Sequence, residues 1–97
     1  MGKSVVRFGD ADVPHCSGMT RLGASTNVFV NGKGVSRRND SNTPHVLPAV
    51  PVCVGHSAVI AVGSTRVFAN GKGVGRTGDS LAGCTACGVG STNVFAG

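Results

Sequence analysis

With 97 residues, no Trp, no Tyr, four Phe and 16 Gly, the chain has room for one small domain, 1–97, and lacks the large side chains of a conventional interior. Its nine Lys and Arg against four Asp give a formal charge of +5, but the cations never run longer than two and no Tyr or Trp interleaves them, so a nucleic-acid platform is not expected. No apolar stretch approaches the ~20 residues of a membrane span, and "MGKSVVRFGD" lacks the apolar core of a secretory signal; the chain reads as soluble and made in the cytoplasm, where its four Cys are expected as thiols or metal ligands.

In chain order, the first block is "VVRFGD" (5–10), a pattern of Val, any residue, Arg, any residue, Gly or Asn, then Asp. It returns as "VSRRND" (35–40) and "VGRTGD" (74–79). A second block follows each of these: "GASTNVFV" (23–30), "GSTRVFA" (63–69) and "GSTNVFAG" (90–97). The two uninterrupted copies, 26–40 and 65–79, agree at ten of fifteen positions, and the third copy is split between the chain ends. The β-branched and aromatic residues of "TNVFV" and "TRVFA" favour short strands. Each is followed by Asn-Gly, the dipeptide that takes up the positive φ angles of a tight hairpin turn. Gly and Pro interrupt every window long enough for a helix, and Pro44, Pro48 and Pro51 make "SNTPHVLPAVPVCVGH" (41–56) an extended or looping connection. The expectation is an all-β fold of short strands and hairpins with pseudo-three-fold symmetry and little or no helix. A lone two-stranded hairpin is marginal in water, so three equivalent ones are expected to pack about a shared axis.

Five positions beyond each repeat Asp stands a good zinc ligand: His15 after Asp10, His45 after Asp40 and Cys84 after Asp79. Under three-fold symmetry these three ring the axis at one level. The middle copy runs 25 positions from Asp40 to Thr65, against 16 and 13 in the others, and its extra length is where His56 stands as a fourth ligand. A rival set, Cys53, His56, Cys84 and Cys87, reads from the "CVGH" and "CTAC" knuckles, but it leaves His15 and His45 without a role. On the first assignment Cys16, Cys53 and Cys87 are small buried or partly exposed thiols.

No enzyme is expected. Four protein ligands close a zinc shell against substrate, no Glu is present, and the four Asp sit at turns where they cap backbone amides.

The three "R-x-[GN]-D" blocks, the "NVF" or "RVF" blocks and the "VNGK" and "ANGK" turns together resemble the PAAR-repeat proteins, which form the pointed tip of contractile injection machines. The likeness covers nearly the whole chain. Where that family carries Pro-Ala-Ala-Arg after the turn, this sequence has "GVSR" and "GVGR" and keeps only the Arg. The resemblance implies a small cone whose base sits on a trimeric β-helical spike, one tip per trimer. It also implies a metal near the apex held by His15, His45, His56 and Cys84, zinc first and iron as the alternative. It points to a membrane-piercing tip on the tail baseplate of a contractile-tailed phage virion, with a short type VI secretion tip as the alternative. A tip of either kind is a monomer by itself and meets the target cell envelope during penetration. The chain ends at Gly97 without a fused effector, as a bare tip does. Docking is expected through strand pairing and apolar contact, which added salt spares. A small zinc-binding adaptor for nucleic acid is the reading from a different class, and salt weakens its binding steeply.

Overall fold

The computed structural model describes residues 2–14, 18–43, 58–82 and 85–97. Every regular element among them is a two-residue strand, and none is helical: β1 Lys3–Ser4, β2 Phe29–Val30, β3 Lys33–Gly34, β4 Phe68–Ala69, β5 Lys72–Gly73 and β6 Phe95–Ala96. They form three antiparallel ribbons of one register. Phe29 faces Gly34 and Val30 faces Lys33; Phe68 faces Gly73 and Ala69 faces Lys72; Phe95 faces Ser4 and Ala96 faces Lys3. The expected Asn-Gly turns join the first two pairs, with φ of 55° and 78° at Asn31 and Gly32 and the same values at Asn70 and Gly71. In the third ribbon Gly97 and Gly2 stand where Asn and Gly stand in the others, so the chain is cut at one hairpin turn and the split copy is made whole in space.

Each repeat Asp locks a turn in the same way. Asp10 Oδ2 accepts from the backbone N–H of Arg7 at 2.8 Å and from its Nε at 2.9 Å, while Oδ1 accepts from Nη2 at 3.0 Å. Asp40 holds Arg37 and Asp79 holds Arg76 with the same three bonds. The turns need a left-handed residue just before Asp, and Gly9, Asn39 and Gly78 supply it with φ of 84°, 75° and 86°. The expectation that Asp caps amides holds for these three.

The copies are stitched into a closed ring by single antiparallel pairs, Val5 with Arg76, Val35 with Arg7 and Val74 with Arg37. Nearer the axis, the amides form a triangle: Val6 N–H donates to Gly75 O at 3.0 Å, Gly75 to Ser36 O at 2.8 Å, and Ser36 to Val6 O at 3.1 Å. Little room is left inside it. A Cβ on Gly75 would come within 2.6 Å of Ile60 Cδ1 and 2.7 Å of Val6 Cγ2, so Val, Ser and Gly at this level let one branched side chain fill the space. On the hairpin side of the triangle lies one small core of Val5, Val35, Val74, Ala69 and Ala96, with Val30 and Val94 packed against it.

Polar links reinforce the same symmetry. The hydroxyls of Ser25, Ser64 and Ser91 each accept from the amides two and three residues on. Ser25 donates to Asn70 of the next hairpin turn at 2.7 Å and Ser91 to Asn31 at 2.6 Å. Ser64 donates instead to the carbonyl of Gly97, which replaces the missing Asn at the cut turn. The molecule measures 39 × 23 × 23 Å, with two equal short axes as trigonal packing requires.

Candidate metal centre

Beyond the Arg-Asp turns the three copies continue as six short segments closed into a second ring. Within copies the pairs are Ala11 with Thr20, Ser41 with Val59 and Ser80 with Ala86; between copies they are Asp12 with Cys87, Arg21 with Asn42 and Ile60 with Leu81. The ring grows directly from the turns, since Arg21, Ile60 and Cys87 exchange backbone hydrogen bonds with the Arg-Asp turns of their own copies. Six side chains, each no more than 3% exposed, fill it: Asp12, Arg21, Asn42, Ile60, Leu81 and Cys87.

At the far end the same two bonds recur three times. Asp12 N–H donates to Met19 O at 3.0 Å, Asn42 to Ala58 O at 2.9 Å, and Leu81 to Thr85 O at 2.8 Å. Val13, Thr43 and Ala82 then bond across to the neighbouring copy, reaching Ala86, Thr20 and Val59 at 2.8–2.9 Å. The residues on which the chain leaves and re-enters the ring therefore share one end of the molecule. The stretch between Asp12 and Met19 carries His15, that between Asn42 and Ala58 carries His45 and His56, and that between Leu81 and Thr85 carries Cys84. All four candidate ligands, together with Cys16 and Cys53, lie outside the described residues, and no cluster of three His, Cys or Asp exists within them. By residue type, three imidazoles and one thiolate make a tetrahedral N/S donor set that suits zinc and does not exclude other first-row metals.

Cys87, a member of the rival knuckle set, is described. It is 2% exposed and packs with Val6, Ala58, Ile60 and Leu81. Burial, with only partial relief from Arg21, pushes its thiol up to about 12, so it holds its proton at neutral pH.

The opposite side of the ring is polar. Arg21 Nη2 reaches Asp12 Oδ2 at 3.0 Å, both side chains fully buried, and Arg21 Nη1 donates to the carbonyl of Asp40 at 3.2 Å. Asn42 donates to the same Asp12 oxygen at 3.2 Å and accepts from Ala58 N–H at 2.8 Å through Oδ1. This triad departs from the expectation that all four Asp serve turns: Asp12 is a buried ion-pair partner. Its trace in the sequence is a pair of opposite charges at repeat positions where the other copies hold the uncharged Asn42 and Leu81, and Ile60 and Cys87. Known protein families offer no match to this chain, and no curated protein matches it.

Proposed function

We propose that this chain is a PAAR-type spike tip: a non-catalytic point that caps the trimeric β-helical spike of a contractile tail baseplate and carries one structural zinc bound by His15, His45, His56 and Cys84. The observation that carries the reading is the six-segment ring, whose equivalent exits gather the flanks of all four candidate ligands at one end of a pseudo-three-fold body. Bound there, zinc would tie the three copies together. Structural zinc contributes on the order of 10 kcal/mol in small peptides, comparable to a whole domain's stability, and the described core of small side chains leaves room for such a term. Rigidity at the narrow end is what a piercing point needs under axial load. The hairpin end has the complementary task of meeting a three-fold partner, and its three registered ribbons repeat one chemistry three times.

The packing of Cys87 among Val6, Ala58, Ile60 and Leu81 supports a packing role for it and the ligand set that leaves it out. Metal analysis tests the assignment. About one zinc per chain is expected in the purified protein, lost in His15→Ala and His45→Ala and kept in Cys87→Ala. Zinc kept in His15→Ala and lost in Cys87→Ala overturns the ligand set in favour of the knuckles. A protein that binds no metal and melts at the same temperature with and without a chelator overturns the metal-pinned tip.

A further inference from the structure

The positive charge that is scattered along the sequence is gathered in space. Each of the four Asp is consumed by one Arg, Asp10 by Arg7, Asp12 by Arg21, Asp40 by Arg37 and Asp79 by Arg76. That leaves Lys3, Lys33, Arg38, Arg66 and Lys72, five cations that make up the whole formal charge of +5. All five are exposed and none forms an ion pair among the described residues. They share the hairpin half of the molecule. Lys3, Lys33 and Lys72 are symmetry equivalents on β1, β3 and β5, and the aliphatic stem of Arg66 lies 3.4 Å from where a Cβ on the terminal Gly97 would sit. Arg38 lines an open groove of about 450 Å³ together with Lys72, Phe68, Val62 and Thr65. One rung from each Lys stand Phe95, Phe29 and Phe68, each 56–59% exposed.

We propose that this end is an electropositive docking face for a trimeric protein whose blunt end presents acidic side chains in three-fold related positions, each meeting one of Lys3, Lys33 and Lys72, with Phe29, Phe68 and Phe95, on the opposite face of each ribbon, adding apolar contact. The proposal rests on the spike-tip reading and deepens it by naming the chemistry of the partner. A face whose free charged side chains are all cationic accumulates like charge that a partner can neutralise, and complementary charge steers encounter and fixes orientation. The Arg38 and Lys72 groove occurs on one copy, because Phe8 and Thr77 occupy the positions equivalent to Arg38, so a single acidic side chain gains an extra cation there. Three-fold repetition of both Lys and Phe favours a trimeric protein over a duplex or a lipid surface, neither of which has that symmetry. Docking then has a salt-sensitive component in addition to the salt-resistant one expected from strand pairing.

The test uses the full chain and two engineered trimeric β-helices that differ only in a blunt-end rim of three Asp or three Asn. The Asp-rimmed trimer is expected to bind on the order of tenfold tighter at low salt, as three exposed ion pairs allow. Its advantage should shrink between about 0.05 M and about 0.5 M salt. The combined Lys3→Gln, Lys33→Gln and Lys72→Gln variant should lose that advantage while keeping the wild-type melting temperature. Equal binding of the two trimers overturns the acidic partner and leaves the spike-tip reading standing. Binding of neither trimer overturns both. Salt-sensitive binding to duplex DNA or to phosphatidylglycerol vesicles, without binding to either trimer, assigns the face to a polyanion and also overturns both.

Discussion

The two ends of this molecule share one backbone plan and follow opposite rules for side chains. At the hairpin end, equivalent positions hold equivalent residues: Val5, Val35 and Val74 in the core, Phe29, Phe68 and Phe95 outside, and the same Arg-Asp lock in each copy. In the second ring the backbone pairs repeat as faithfully, yet equivalent positions hold Asp12, Asn42 and Leu81, or Arg21, Ile60 and Cys87. Symmetry of hydrogen bonding is therefore separable from symmetry of chemistry. On the proposed function the hairpin face meets three identical chains and gains from repeating itself, whereas a ring that packs on its own interior can divide into a charged half and an apolar half.

The largest expected effect breaks the charged half. Arg21→Ala leaves Asp12 buried without its cation, which costs about 3–5 kcal/mol in denaturant unfolding. Installing residues of the other copies, Asp12→Leu with Arg21→Ile, is expected to recover part of that loss, because a packed apolar pair replaces a buried ion pair, while the Asn42 amide, left without its acceptor, keeps the variant below wild type. A single variant as stable as wild type would show that the ring does not depend on its charged half.

Next comes a position where the hairpin end itself departs from symmetry. The carbonyls of Ser25 and Ser64 press on Gly34 and Gly73 so closely that a Cβ there would overlap them, while the third copy carries Ser4 at the same place. Gly73→Ala is expected to cost about 1–3 kcal/mol through overpacking. Ser4→Ala should stay within about 0.5 kcal/mol of wild type, read from the same unfolding curves.

Much of the hairpin end was legible in the sequence because its signals are local. Asn-Gly at 31–32 and 70–71 fixes two turns, and the split repeat foretells that residues 95–97 and 2–4 complete the third ribbon. The second ring was not, because its pairs are single bridges between distant segments, such as Arg21 with Asn42 and Asp12 with Cys87, and no run of alternating residues announces them. Its charged triad was hidden for a related reason: Asp12 follows a turn Asp by two residues and reads as another turn former, until Arg21 is brought to it. Of the candidate site, the symmetry that gathers the exits of the three segments at one end was expected, and Cys87 is buried among aliphatic side chains, while the four candidate ligands lie outside the described residues.

A smaller effect checks how equal the three locks are. Asp40→Ala removes three hydrogen bonds to Arg37, one from the backbone and two from the guanidinium, and is expected to cost about 2 kcal/mol. Asp10→Ala and Asp79→Ala should match it within about 0.5 kcal/mol, since their bonds have the same geometry and similar burial. A large spread among the three would mean that the locks, alike in hydrogen bonding, are coupled unequally to the ring above them.

The last effect sits in the apolar half of the ring and changes with pH only in the alkaline range. An ordinary thiol ionises near 9.0, whereas burial pushes that of Cys87 up to about 12. Above the lower value the unfolded chain has released this proton and the folded chain still holds it, so the unfolded state binds fewer protons and stability falls as pH rises from 9.0 toward 12. Below 9.0 the contribution is constant, and nothing is lost at neutral pH. Cys87→Ala is therefore expected to lower stability by a roughly constant amount at neutral pH and to flatten the alkaline decline relative to wild type, measured by urea unfolding across that range. Alkylation at pH 8, resolved by peptide mass spectrometry, should leave Cys87 unmodified in the folded protein and modify it after unfolding. Rapid modification of Cys87 in the folded state would place its sulfur within reach of solvent, and the apolar half of the ring would lose the sealed character that sets it apart from the hairpin face.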